Sequence, residues 1–185
     1  EKKQVKLGFS KGEIDRMGGG NIEVEYGSIT IDNGGTMSIK SSFSEVEIDR
    51  VDNLVLTSEY DEISIDYVKT LKITGAFSSF EIDRLERHIE AEVQYGGMEI
   101  DGIAADFEFV KINSEFGGVE IKIDNGASYL FYTRTEFGSI DLPDNAEVID
   151  QKKEISLSEF TGRVGQNHGD RKVEIEVEFA SITIE

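Results

Sequence analysis

An aromatic residue recurs along the chain at Phe9, Tyr26, Phe43, Tyr60, Phe77, Tyr95, Phe116, Phe137, Phe160 and Phe179. The first four gaps are 17 residues each, and the later ones are 18, 21, 21, 23 and 19. Three and five residues after the aromatic stand two apolar residues, as in Ile29/Ile31, Val46/Ile48, Ile63/Ile65, Phe80/Ile82, Met98/Ile100 and Val119/Ile121. A short, fixed period means stacked repeats, each too small to bury its own apolar face.

Within a unit the pattern has period two. Val46 and Ile48 alternate with Glu45, Glu47 and Asp49, and Leu54, Leu56 and Ser58 alternate with Val55, Thr57 and Glu59. That is the signature of strands with one buried face. Asp49-Arg50 and Asp52-Asn53, on either side of Val51, read as a turn. No stretch has a helical period. The expected fold is all-β, a single-domain parallel β-helix or solenoid of about nine to ten short coils. Right-handed winding is expected, as for most parallel crossovers. One domain spans 1–185: regular coils over 9–100, widened coils over 101–142 and irregular C-terminal coils over 143–185.

The aromatic shares parity with Leu54, Leu56 and Ser58, so it is expected to point inward. The small residues two positions earlier (Ser41, Ser58, Gly75, Ser114) would then make room for stacked rings in a narrow core. The alternative is an exposed aromatic ladder. Later units loosen. Residues 102–110 and 122–135 carry insertions, 143–158 imply a bulge or longer turn, 160–172 read as a loop, and 173–184 return to the pattern.

The strings YGSITI, YGGMEI, FGGVEI, FGSIDL and FASITI, with the closing stretch FTGRVGQNHGDRKVEIEVEFASITI, resemble a bacterial adhesin-like family of β-solenoid domains. This chain departs from it in placing an aromatic where relatives often have Ser or Gly, and in having Ala180 for the usual Gly. The resemblance implies an exported, envelope-associated protein of the periplasm or cell surface, and it carries over no catalytic residues. The chain opens at Glu1-Lys2-Lys3, and the signal peptide that export requires is not in it.

Composition narrows the partners. The formal charge is −19, which repels nucleic acid and disfavours an anionic membrane surface. No apolar run is long enough to span a membrane. With no Cys, neither a disulfide framework nor a Cys-bearing metal site is available.

Six residues after the aromatic lies the column Asp15, Asp32, Asp49, Asp66, Asp83, Asp101. Stacked about 5 Å apart, adjacent carboxylates repel by about 1 kcal/mol even in water. Turn N–H groups, with Arg16, Arg50 and Arg84 beside the column, are expected to offset this, so no metal site is assigned. Calcium between coils at Asp32, Asp49, Asp66 and Asp83 is the minority alternative. No cofactor is expected. Both His88 and His168 are expected to be solvated.

The best candidate binding residues are Tyr129, Phe131 and Tyr132. Phe131 and Tyr132 have opposite parity, so one of them should face out. The expected function is a non-enzymatic, adhesin-like or interaction scaffold of the cell envelope with a protein or glycan partner. The rivals are a carbohydrate-active β-helix enzyme and a self-assembling element that stacks by its ends or edges.

Overall fold

The computed structural model describes residues 3–185, so the opening Glu1-Lys2 lies outside the described residues. All regular structure is β. A coil consists of a nine-residue strand, an aromatic corner, a four-residue strand and a two-residue corner. Val51–Glu59, Tyr60-Asp61, Glu62–Ile65 and Asp66-Tyr67 make one such coil.

Successive coils pair in parallel and in one register, apart from shifts between Leu85 and His88 and between Ile100 and Ile103. Val46 lies against Ile63, Ile63 against Phe80, Phe80 against Met98, and Met98 against Val119. On the long strands Ile39, Leu56, Ile73, Ala91 and Ile112 form the matching column. These two columns face each other, and their members are buried. The period-two pattern therefore produces a continuous core down the rod axis.

The expected turn around Val51 is shorter than the sequence suggested. Val51 is itself fully buried at the start of its strand, and only Asp49-Arg50 form the corner. Burial then changes parity between Val51 and Leu54, so the long strand bends at Asp52-Asn53. The insertions are loops at 104–108 and 124–128, the first of which buries Phe107 in the core.

The winding makes about seven turns in sequence, up to the strand Val119–Ile123, rather than nine or ten in a row. Then chain order and stacking order part. The strand Tyr129–Glu136 does not pair with Phe109–Glu115. The last long strand, Lys172–Glu178, lies between them and is parallel to both. Likewise Ile182–Ile184 sits between Val119–Ile123 and Ile140–Asp141. The intervening chain forms a hairpin, Ala146–Lys153 with Leu157–Val164, which lies antiparallel on Tyr129–Glu136 and closes that end of the long-strand sheet. The expected bulge is present between Val148 and Asp150. The expected loop over 160–172 is in its first part a strand, because antiparallel pairing needs no repeat of the apolar pair.

Ile175 is fully buried in the inserted layer, between Ile112 and Thr133. Ile175→Ala is expected to cost about 3 kcal/mol, measured by urea unfolding. A chain stopped after residue 168 is expected to lose amide protection over 129–164 while keeping it over 17–115, measured by hydrogen exchange.

Candidate functional site

The aromatic column does not face the core. Phe9, Tyr26, Phe43, Tyr60, Phe77, Tyr95, Phe116, Phe137 and Phe179 all adopt the left-handed conformation, with φ between 51° and 59°. Each is the corner between the long and the short strand. A strand's in-out alternation does not carry through a left-handed residue, so parity with Leu56 and Ser58 predicts the wrong side. Ser41, Ser58 and Ser114 are buried as expected, yet the rings point outward, with Tyr26 50% and Tyr60 45% exposed.

The outward rings stack on one another. Centroids lie 5.0 Å apart for Phe9–Tyr26 and 4.7 Å for Tyr60–Phe77, with planes within 7° throughout the column. The spacing is that of the backbone ladder beneath. Because the final unit is inserted, the order at the far end is Phe116, Phe179, Phe137. Phe160 is absent from the column. It is buried on the second strand of the antiparallel hairpin, in register with Thr133 and Gln151.

A left-handed conformation costs a residue with a side chain about 1–2 kcal/mol. The column incurs this cost nine times, and each ring contact returns about 0.5–1.5 kcal/mol. The rings' faces are occupied by their neighbours, so what meets solvent is a ridge of ring edges. Beside it runs an open groove lined by Phe43, Tyr60 and Phe77 on one flank and by Glu45, Glu62 and Ser79 on the other. The corner is tight. A Cβ on Gly96 or Gly117 would sit 1.8 and 1.7 Å from the carbonyl oxygens of Ser78 and Gly96.

Under the ridge lies a buried carboxylate that no motif in the sequence marks. Asp61 Oδ2 accepts from the Ser41 hydroxyl at 2.6 Å, the Ser58 hydroxyl at 2.8 Å and the Glu59 amide at 3.0 Å. Its Oδ1 accepts from the Ser44 amide at 2.7 Å. The Asp61 amide donates to Ser78 Oγ at 3.0 Å. The carboxylate thus ties two successive coils and the amide of the same residue ties in the third, at the corner that presents Phe43, Tyr60 and Phe77. The only advance signal was the run of small polar residues at these offsets.

The sequence-derived site behaves differently. Tyr129 and Phe131 are both buried, and burial pushes the Tyr129 hydroxyl up to about 12. Tyr132 has the opposite parity and is half-buried on the outer face, in register with Thr161 and Glu174. Its hydroxyl is raised first by burial, then by Glu159 and Glu176. The three residues share a strand but not a surface.

In the Asp column the backbone makes the interstrand bonds, as when Asp49 donates its amide to the Ile31 carbonyl at 3.0 Å. Two of the arginines expected to neutralise it, Arg50 and Arg84, are engaged elsewhere. Arg84 makes a two-pronged contact with Asp124 at 2.8 and 2.7 Å, and Arg50 lies over the Tyr67 ring, 3.8 Å from its centroid. Asp66 is raised by burial first, then by Asp83, Asp49 and Glu47. Among the described residues no group of three or more His, Asp or Glu side chains is arranged to hold a metal ion.

His88 is not freely solvated. Its ring stacks on Phe109 at 4.6 Å, and its Nδ1 lies 3.0 Å from Glu108 Oε2. Glu108 also pairs with Arg87, and its carboxyl is lowered first by the bond to His88. No protein-family model, curated protein or solved structure matches the chain. Among the described residues no helix is long and apolar enough to cross a membrane.

Two expectations follow. Tyr60→Ala loses two ring contacts and keeps the backbone strain, so it should cost about 1–3 kcal/mol, whereas Tyr60→Gly relieves the strain and should cost less. Comparative thermal melts check the order of the two variants. Asp66 has a raised pKa in the folded state, so folding favours its protonated form. The penalty is absent well below the ordinary carboxylate range and develops as pH rises through the raised value. Asp66→Asn is therefore expected to raise Tm at pH 7 and to lose that advantage in acid, measured by melts across pH.

Proposed function

We propose that the protein is a non-enzymatic interaction scaffold, an adhesin-like rod exported to the periplasm or cell surface, whose partner is a protein or glycan. The observation that carries this is the exposed column of nine rings in a conformation that costs backbone energy. Strain retained in every coil, on side chains that bury no core surface, suits a contact surface better than a packing device. The resemblance of YGSITI, YGGMEI and FGGVEI to the adhesin-like family supports the envelope setting. Two-residue corners over most of the rod leave few loops on which to build a catalytic centre, which favours a scaffold over a carbohydrate-active enzyme.

The test is binding of the intact rod to immobilised glycans and cell-surface proteins, alongside the variant Phe43→Ser/Tyr60→Ser/Phe77→Ser. Binding that the variant loses while keeping a cooperative melt supports the proposal. Cleavage of any acidic polysaccharide overturns it.

A second reading, self-association by ends, rests on the first coil. Among the described residues Lys3–Gly8 pairs on one side only, Val5, Leu7 and Ile14 are partly covered, and Phe9 is 83% exposed. Lys3 and Lys6 on that edge oppose strand addition. Sedimentation across concentrations separates a monomeric rod from an end-stacked one.

A further inference from the structure

The ring column has a second period. From Phe9 to Phe116 it alternates strictly, with Tyr26, Tyr60 and Tyr95 at every second rung. Each ring edge offers C–H groups, and every second one adds a hydroxyl. Two strand spacings are about 9.6 Å, so hydroxyls recur along the rod at about that distance. A polyproline II helix advances about 3.1 Å per residue with three residues per turn, or about 9.3 Å per turn. Ladder and helix drift by about 1 Å over three turns.

The chemistry of the ridge agrees with this match. Polyproline II has no internal hydrogen bonds, so its carbonyls are free to accept from tyrosine hydroxyls, and its proline rings suit aromatic ridges. The column is bordered by carboxylates. Glu25 and Glu59 directly precede Tyr26 and Tyr60, and Glu45 and Glu62 line the groove on the other side. No basic side chain lines that groove. A β-strand laid along the rod, with its two-residue period of about 6.6 Å, falls out of step with both ring and hydroxyl spacing. A glycan would need aromatic faces to stack on, and the faces of this column are covered by neighbouring rings.

We propose that the aromatic column is a docking surface for a basic, proline-rich segment in the polyproline II conformation. The segment lies along the rod axis and advances one turn for every two coils. The Tyr26, Tyr60 and Tyr95 hydroxyls donate to its carbonyls, and Glu25, Glu59, Glu45 and Glu62 receive its Lys or Arg side chains. This rests on the ridge being the contact surface and names the class of partner it takes.

The probe is a fluorescein-labelled peptide of five Pro-Pro-Lys repeats, titrated with the intact protein and followed by anisotropy. A Gly-Gly-Lys peptide of the same length carries equal charge without the preformed helix. Binding about tenfold tighter for the proline peptide is expected. Tyr26→Phe/Tyr60→Phe/Tyr95→Phe retains the stack, and it should weaken that binding about fivefold with an unchanged melt. Glu25→Gln/Glu59→Gln should weaken it and flatten its salt dependence.

Equal affinity for the two peptides shows charge attraction alone and overturns the proposal, as does binding indifferent to the triple Tyr→Phe change. If the rod still binds cell-surface ligands through the ridge but shows no preference for the proline peptide, this inference fails and the scaffold reading stands. If serine substitution of the ridge affects neither, both fail.

Discussion

Parallel backbone pairing in a single register is the constraint on which the rest of this molecule depends. Once Val51–Glu59 is laid on Gly34–Ser42 residue for residue, every side chain acquires a copy of its role about 4.8 Å away. Apolar positions become two facing columns and corner aromatics become a stack. Acidic positions become ladders of like charge, and the carboxyl of Asp66 is raised first by partial burial and then by Asp83 and Asp49 on either side. Favourable and unfavourable features arise from the same operation, so neither can be altered without the other while the register holds.

The corner makes this periodicity into a surface. A left-handed residue ends one strand, reverses the direction in which the side chain would have pointed, and starts the next strand within two residues. Glycine would do this more cheaply. Placing Phe or Tyr there trades local strain for ring contact, and Asp61 shows that the interior beneath is also organised around the corner. Four donors from two successive coils converge on its carboxylate, so a buried polar group that would otherwise be costly is fully hydrogen-bonded.

Most of the coil was legible in the sequence, because burial follows a period of two and the period of 17 residues is unbroken over four units. The apolar pairs, Leu54 and Leu56, the loops at 104–108 and 124–128 and the bulge near Val148 all follow from pattern. The orientation of the rings did not, since parity holds along a strand but not through a left-handed corner, and φ is not written in Phe or Tyr. Nor was the place of Lys172–Glu178 legible. Its alternation identifies a strand, but every coil offers it a matching register, and only the hairpin that returns the chain selects the slot. Phe160 joined the column in sequence because its spacing fits, and left it because its strand runs antiparallel.

That returned layer gives the rod an uneven resistance to force. Among the described residues Lys3–Gly8 is paired along one edge, so tension applied at residue 3 can unzip it from Met17–Glu25 one bond at a time. Tension applied through residue 185 meets a different geometry. Lys172–Glu178 and Ile182–Ile184 are flanked on both sides, so drawing them out must shear two ladders in each sheet together and open the core between them. Among the described residues, the strand Lys3–Gly8 is the more easily peeled away, and the inserted layer of Lys172–Glu178 and Ile182–Ile184 is the more firmly gripped.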